Sequence, residues 1–383
     1  MSSLERTARV LRMDANAGFT QVVGVGGIGT GMMIELEGDH TLGRNESRMG
    51  RALDARDYCK LHIVEHYIAV LMGADAVGAG KAENAFRVFA VGNVGGDAHG
   101  ETLMREMAVA GIDTRSVRVE AESSTLFSVA FLYPDKSGGN ITTSNSAACA
   151  LSSAQLSECR PGLMAAGRKG VALCLPEVPL EARHEFLRLA TECGSYRVAS
   201  FSSGEMEMVC NLKLLTQVDL LALNYEEAAA LVGIAAHEAS QSELLDACAK
   251  ACKAANPTMR MLVSAGADGA YIFEDAVWSH HQAVPVQVAS TAGAGDALLA
   301  GTIAGLAAGL PLTDRESALK NGKREICSAI DLGLALAALS VTSPHAIHPE
   351  ATLDSLLSFA KENGIGETEN FKDRYSHRVA TGA

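Results

Sequence analysis

The chain has 383 residues, of which 48% are hydrophobic and 20% charged, enough to bury one large core or two smaller ones. Its 32 Lys and Arg against 45 Asp and Glu give a net charge of −13, which disfavours general binding to nucleic-acid phosphates. The first residues show no apolar signal segment, and glycines interrupt the apolar runs before they are long enough to span a membrane. We therefore expect a cytoplasmic protein with no nucleic-acid and no membrane partner.

Along most of the chain, short apolar runs alternate with helical patterns. Strands are predicted at 86–92, 171–175, 197–201, 220–223 and 261–264, and helices at 54–73, 101–110 and 180–193. Strands that alternate with helices are typical of a parallel sheet covered on both faces. The sequence thus predicts an α/β fold with a central, mainly parallel sheet and helices on both of its faces.

Two parts of the chain break this alternation. The apolar or alternating segments 32–37 and 125–133 have no helix beside them, and 140–144 follows the second one closely. Such segments are typical of antiparallel strands joined without crossover helices. We predict that they form a small β lid apart from the main sheet.

These patterns suggest one domain with two terminal extensions. The domain is expected to span residues 19–367, with the lid strands at 30–45 and 122–146. An N-terminal segment, 1–18, precedes it. A C-terminal tail, 368–383, follows it, and its polar residues 371–383 are expected to be frayed.

The stretch Gly24–Gly29 matches G-x-G-x-x-G, the fingerprint of dinucleotide-binding loops. That fingerprint requires a helix directly after the loop, because the helix N-terminus holds the pyrophosphate. Here the following residues, Met32–Glu37, favour a strand. Close packing of the chain explains these glycines better than NAD binding does.

A second glycine motif precedes a long apolar helical pattern. Gly293, Ala294 and Gly295 lie at its start, and Asp296 follows in the first turn. Glycines allow a tight turn in which backbone N–H groups face outward, where the helix dipole adds partial positive charge. The motif predicts an anion hole, and Asp296 is either a residue that complements the dipole or a general base.

Four stretches, in order, resemble the motifs of the ribokinase-like, or PfkB, carbohydrate kinases. Ser290–Gly301 is similar to the family's C-terminal motif D-T-T-G-A-G-D-x-F-x-x-G. Three earlier stretches resemble the family's glycine–aspartate, N-x-x-E and strand-turn-strand segments, namely Val91–Val117, Val218–Gly233 and Leu262–Phe273. The resemblance extends over residues 21–359 and implies a ribokinase-like fold.

The resemblance also implies roles for individual residues. Asp296 matches the catalytic base, and Gly293, Ala294 and Gly295 match the anion hole. ATP would then bind along the C-terminal half of the chain, near Ser264, Gly266, Gly269 and residues 329–340.

Asn224 and Glu227 match the N-x-x-E pair associated with Mg²⁺ and phosphate ordering. Mg²⁺ keeps several waters and takes few carboxylates, so a single such pair suits it. The local alternative is that Asn224 caps a helix whose first turn contains Glu227. The resemblance also allows an activating monovalent cation and a homodimer formed through the lid strands.

The acceptor side departs from the family pattern. Gly31 stands where the family commonly has an aspartate that binds substrate hydroxyls. The nearby polar loop contains Arg44, Asn45 and Arg48, which we predict to supply substitute contacts, the arginines suiting a carboxylate or phosphate. The alternative is a solvated loop with ordinary surface charges.

We therefore expect an ATP-dependent kinase that phosphorylates a hydroxyl of a sugar or sugar-like molecule, nucleosides and acidic sugars included. One alternative is a non-catalytic ligand sensor on the same fold, suggested by the altered acceptor side. The other is an NAD-dependent oxidoreductase, which rests on Gly24–Gly29 alone.

Overall fold

The computed structural model describes residues 7–14, 18–75, 86–135, 138–235, 240–314 and 324–379. Within them the strands are β1 (Thr7–Leu11), β2 (Gln21–Val25), β3 (Gly29–Leu36), β4 (Gly50–Ala52), β5 (Asp57–Tyr58), β6 (Arg87–Gly95), β7 (Ile112–Glu120), β8 (Leu126–Leu132), β9 (Gly138–Thr142), β10 (Gly170–Cys174), β11 (Tyr196–Ala199), β12 (Leu220–Asn224), β13 (Arg260–Ser264), β14 (Ala270–Glu274), β15 (Val277–His281), β16 (Arg324–Ile326), β17 (Ile365–Glu367) and β18 (Tyr375–Val379). The helices are α1 (Lys60–Met72), α2 (Ala98–Val109), α3 (Ser153–Ser157), α4 (Arg160–Ala166), α5 (Leu180–Cys193), α6 (Met206–Asn211), α7 (Tyr225–Val232), α8 (Gln241–Ala255), α9 (Ala294–Ala307), α10 (Ala329–Ser340), α11 (Leu353–Glu362) and α12 (Glu369–Lys372).

The central sheet has nine strands in the order β15-β14-β13-β12-β11-β10-β2-β6-β7. Its strands from β13 to β7 pair in parallel, and β14 and β15 add an antiparallel edge. Every residue of β2 and β10 is buried, as expected for strands covered on both faces. The predicted α/β fold with a mainly parallel sheet is confirmed.

The G-x-G-x-x-G stretch runs from Gly24 in β2 to Gly29 at the start of β3, and no helix follows it. A Cβ at Gly24 would overlap Glu65 Oε1 of α1, and one at Gly26 would lie 3.1 Å from Leu61 Cβ. Both glycines therefore allow α1 to pack closely on the sheet. The chain has a strand where a dinucleotide site needs a helix N-terminus.

The lid is a separate sheet of five strands, in which β4-β3-β8-β9 are neighbours and β5 also pairs with β3. The expectation of antiparallel strands is wrong for one pair, because β3 and β8 run parallel. The helix predicted from residue 54 begins only at Lys60, since Asp57 and Tyr58 pair with β3 as β5. Only Cys59 thus separates the lid strand β5 from α1.

The C-terminal tail is not frayed between residues 369 and 379, which corrects that expectation. α12 buries Phe371 completely, and β18 pairs antiparallel with β1. Arg9 of β1 forms an ion pair with Asp354 and lies over the Tyr375 ring. Residues 1–6, 15–17 and 380–383 of the expected terminal segments lie outside the described residues.

Candidate active site

Functional side chains collect at the carboxyl edge of the central sheet, where open α/β sheets bind ligands. Glu177 follows the end of β10, Ser200 follows β11, Asn224 ends β12, and Ser264 ends β13. Because these strands are parallel neighbours, their ends meet at one edge.

The start of α9 faces this edge. Gly293 precedes the helix with φ 75°, and a Cβ there would also overlap the carbonyl oxygen of Ala346. Both the backbone conformation and the packing therefore require glycine. No side chain caps the helix, and Ala294 N–H donates to the carbonyl oxygen of Thr291, so the N–H groups of Gly295 and Asp296 are left for another acceptor. Asp296 lies in the same turn.

A lysine from α1 lies opposite this turn. Lys60 Nζ is 3.7 Å from Asp296 Oδ1 and 3.9 Å from Glu227 Oε1, and it donates a hydrogen bond of 3.2 Å to Ser200 Oγ. One cation thus contacts residues at three other places in the chain. This cluster joins the start of α1 to the starts of α7 and α9.

Burial is the main influence on the acidic groups. It raises the pKa of Asp296 to about 6, since the Lys60 charge, which lowers that pKa, does not fully offset it. The neighbouring charges of Glu227 and Asp57 raise the pKa of Asp296 further. For Lys60, burial lowers the pKa, but the charges of Asp296 and Glu227 raise it more. At neutral pH, Lys60 is a cation and Asp296 a carboxylate.

Asn224 and Glu227 form the capping box that their local pattern predicts. Asn224 Oδ1 accepts from Glu227 N–H, and Glu227 Oε2 accepts from Asn224 N–H, both at 2.8 Å. The other carboxylate oxygen, Oε1, is the one that faces Lys60. The capping role therefore leaves one oxygen of Glu227 directed at the cluster.

Most predicted site residues meet in one cavity of about 650 Å³. Its polar end is lined by Lys60, Ser200 and the predicted residues Asn224, Glu227, Ala294, Gly295 and Asp296. The predicted nucleotide-side residues Ser264, Gly266 and Gly269 also line it, and α10 contributes Leu334, Ala337 and Ala338 to its apolar part. The cavity thus has a charged part and an apolar part.

The predicted acceptor residues do not line this cavity. Arg48 is held by Glu46 at 2.6 Å and by the carbonyl oxygen of His40. Arg44 and Asn45 are exposed. Gly31 lies in the lid strand β3.

Two residues at the site were missed in the sequence. Lys60 is the one cation in α1, whose other residues are mostly buried, and that contrast was the available signal. Glu177 lies three residues after the end of the buried parallel strand β10, at φ 73°. Burial raises the pKa of Glu177 to about 7, against the lowering by Cys59 and Lys60, and its Oε2 has no hydrogen-bond partner among the described residues.

Comparison with known proteins identifies the chain. Residues 70–353 match the model of the pfkB family carbohydrate kinases, about three-quarters of the sequence. The chain belongs to this family. It is accordingly a phosphotransferase with an alcohol group as acceptor. The match to the PfkB family begins after Lys60 and the lid strands β3, β4 and β5.

Solved structures show the same fold at low identity. A ribokinase from Cryptococcus neoformans in complex with ADP superposes with a TM-score of 0.66 at 17% identity, covering 88% of this chain and 99% of that one. An Arabidopsis thaliana ribokinase complexed with ribose and ATP gives 0.62 at 20%, covering 90% and 99%. An aminoimidazole riboside kinase from Salmonella enterica gives 0.60 at 18%, covering 88% and 99%.

The search of curated proteins found no match. Within the described ranges, no helix has the length and apolar character to cross a membrane.

Proposed function

We propose that this PfkB protein transfers the γ-phosphoryl group of ATP to a hydroxyl of a sugar or sugar-like molecule, nucleosides included, with Asp296 as general base. The observation that carries the proposal is the cluster at the start of α9, where Asp296 stands beside uncapped N–H groups and 3.7 Å from Lys60 Nζ. A base with a pKa of about 6 is ionised at neutral pH and still accepts a proton readily.

The shape of the cavity supports one orientation of ATP. The adenine ring of ATP would lie in the apolar part of the cavity against α10, with Leu334, Ala337 and Ala338 around it. The phosphates would extend past Ser264 toward Gly295, where the N–H groups of α9 are exposed. The Cryptococcus neoformans ribokinase is complexed with ADP and the Arabidopsis thaliana ribokinase with ribose and ATP, which supports an adenine nucleotide as the ligand here.

The transfer itself needs few groups. The acceptor hydroxyl gives its proton to an Asp296 oxygen as its own oxygen bonds to the γ-phosphorus, and the bond from that phosphorus to the β–γ bridging oxygen breaks to release ADP. Lys60 and the N–H groups at the start of α9 stabilise negative charge on the transferred phosphoryl oxygens. Phosphoryl transfer depends mainly on such positioning and charge stabilisation.

The residues present fit a magnesium ion held largely by phosphates and water. Glu227 Oε1 offers a hard oxygen ligand, while Asn224 Oδ1 is engaged in the cap. Among the described residues, no three His, Cys, Asp or Glu side chains form a cluster that could hold a metal alone. Mg²⁺ takes few protein ligands when bound with a nucleotide, and there it neutralises phosphate charge.

A coupled ADP-release screen tests the proposal, with Mg-ATP and a set of neutral sugars, sugar acids and nucleosides. We expect acceptor-dependent ADP formation well above the rate of ATP hydrolysis by water. A thermal-shift measurement with ATP and NAD runs beside it. Stabilisation by ATP without ADP formation from any acceptor would favour the sensor, and stabilisation by NAD the oxidoreductase.

A further inference from the structure

Three residues lie side by side across the lid sheet. In the pairing of β3 with β5, Gly31 is opposite Asp57, and in the pairing of β3 with β8 it is opposite Ser128. Ser128 Oγ donates a hydrogen bond of 2.7 Å to Asp57 Oδ2. A carboxylate from β5 is therefore fixed over the middle strand of the lid.

This bond explains why position 31 is glycine. A Cβ at Gly31 would overlap Ser128 Oγ and lie 2.8 Å from Asp57 Oδ2. The backbone at Gly31 has no positive φ that would itself require glycine. The space that a side chain at position 31 would fill is taken by the Asp57 carboxylate and the serine that holds it.

The carboxylate is close to the reaction centre. Asp57 precedes Lys60 by three residues, and its charge contributes to the raised pKa of Asp296. Oδ2 is occupied by Ser128, and no described residue donates to Oδ1. Oδ1 is thus the oxygen of this positioned carboxylate that is left for a hydroxyl donor.

The charges around this space are mainly negative. Asp57, Glu177 and Asp296 contribute carboxylates, and Lys60 is already beside Asp296 and Glu227. The guanidinium of Arg56, which precedes Asp57, forms an ion pair with Glu106. Arg48, the expected partner of an acidic acceptor, is bound to Glu46. Hydroxyl donors suit such a site, whereas a sugar carboxylate would meet like charges.

We propose that Asp57 is a specificity-determining residue, whose Oδ1 accepts a hydrogen bond from a hydroxyl of the acceptor and which selects neutral polyols over sugar acids. This inference rests on the proposed kinase function. Ser128 is a positioning residue, because it acts only through Asp57.

The test compares wild type with Asp57→Asn and Ser128→Ala. Asp54→Asn is the control, since Asp54 is an exposed carboxylate three residues away. Initial rates of ADP release are measured with Mg-ATP on matched neutral and acidic acceptors, such as glucose with glucuronate and sorbitol with gluconate, together with ribose and adenosine. The shift in melting temperature caused by ATP reports whether each variant is folded.

Wild type is expected to favour the neutral member of each pair. Because a hydrogen bond to a charged group is stronger than one to a neutral amide, Asp57→Asn should raise the acceptor KM about tenfold with a smaller change in kcat. The preference for neutral over acidic acceptors should fall in the same variant, which a merely structural role would not cause. Ser128→Ala should give an intermediate KM, and Asp54→Asn the wild-type value.

An unchanged acceptor KM in Asp57→Asn, or a wild-type preference for sugar acids, would overturn the inference. If no acceptor yields ADP, the kinase proposal fails separately, and isothermal titration with ribose and gluconate then decides the role of Asp57. Ribose binding that Asp57→Asn weakens would still support the assignment. Absence of ribose binding to wild type, or tighter binding of gluconate, would refute it.

Discussion

The proposed site has a phosphoryl end, at the start of α9, and an acceptor end, at the lid, and the two differ in how they are built. The phosphoryl end consists of the consecutive residues Gly293–Asp296 and the capping box of α7, so its shape depends on local backbone conformation. The acceptor end consists of Asp57 and Ser128, which lie on the lid strands β5 and β8 and meet through their pairing with β3, and of Glu177 from the segment after β10. The phosphoryl end thus depends on short local segments, whereas the acceptor end depends on residues that are distant in the sequence.

The largest effect is expected from a substitution that disables the phosphoryl end. Asp296→Asn keeps the shape of the side chain and removes the base, so kcat should fall by about 100-fold or more with ATP binding retained. Steady-state kinetics and titration with ATP measure the two effects. Glu101→Gln is the matched control, because Glu101 is an exposed acid in the first turn of α2 and tests whether the helix dipole alone matters. If Asp296→Asn turned over near the wild-type rate, Asp296 would only complement the helix dipole and would not be the general base.

Lys60 joins the two ends, and its removal should have the next largest effect. In wild type, kcat/KM should fall about tenfold per pH unit below the Asp296 pKa of about 6, because the protonated acid cannot accept the hydroxyl proton. Lys60→Met removes the cation that lowers this pKa. The fall of kcat/KM at acidic pH, the acidic limb of the pH–rate profile, should therefore move to higher pH, and kcat at pH 8 should fall about tenfold.

Rate profiles between pH 5 and 9 measure both changes. Lys60→Arg restores the charge and should return the limb toward its wild-type position. An acidic limb at the same pH in wild type and Lys60→Met would argue against the coupling of Lys60 with Asp296.

Glu227 tests whether the capping box has a second role. Glutamine at position 227 can still accept from Asn224 N–H, so Glu227→Gln should preserve the melting temperature. The loss of the carboxylate at Oε1 should raise the Mg²⁺ concentration for half-maximal rate about tenfold. Its exposed neighbour provides the control, Glu226→Gln. Equal magnesium dependence in both variants would leave Glu227 with the capping role alone.

The smallest effect is expected in the polar loop. Arg48 is bound to Glu46, and Arg44 is exposed, so neither is free to define a pocket for neutral acceptors. Arg44→Ala and Arg48→Ala should each leave the KM for the preferred neutral acceptor within about twofold, as most surface substitutions do. A KM raised tenfold or more for any acceptor would show that these arginines contribute to acceptor binding.

The local geometry at the start of α9 could be predicted from the sequence because the information there is contiguous. A glycine at positive φ before an apolar helix, with Asp296 in its first turn, is encoded in four successive residues. Most of the buried parallel strands were equally recognisable, because a strand such as β10 is apolar along its whole length.

The acceptor end could not be predicted in the same way. Asp57 belongs to a two-residue strand that a helical pattern conceals, and its partner Ser128 lies 71 residues away. The pairing of β3 with β8 in parallel, which brings Gly31 beside Ser128, is a property of the whole lid. Lys60 and Glu177 acquire their roles from neighbours that are distant in the chain.

The pairing of β1 with β18 bears on how the protein assembles during translation. Residues 375–379 leave the ribosome after every other described element, so Thr7–Leu11 lacks this strand partner until those elements have been made. Phe371 reaches its buried position at about the same stage. Domains fold as units during synthesis, and here the pairing of β1 with β18 can form only after the described elements between them have been made.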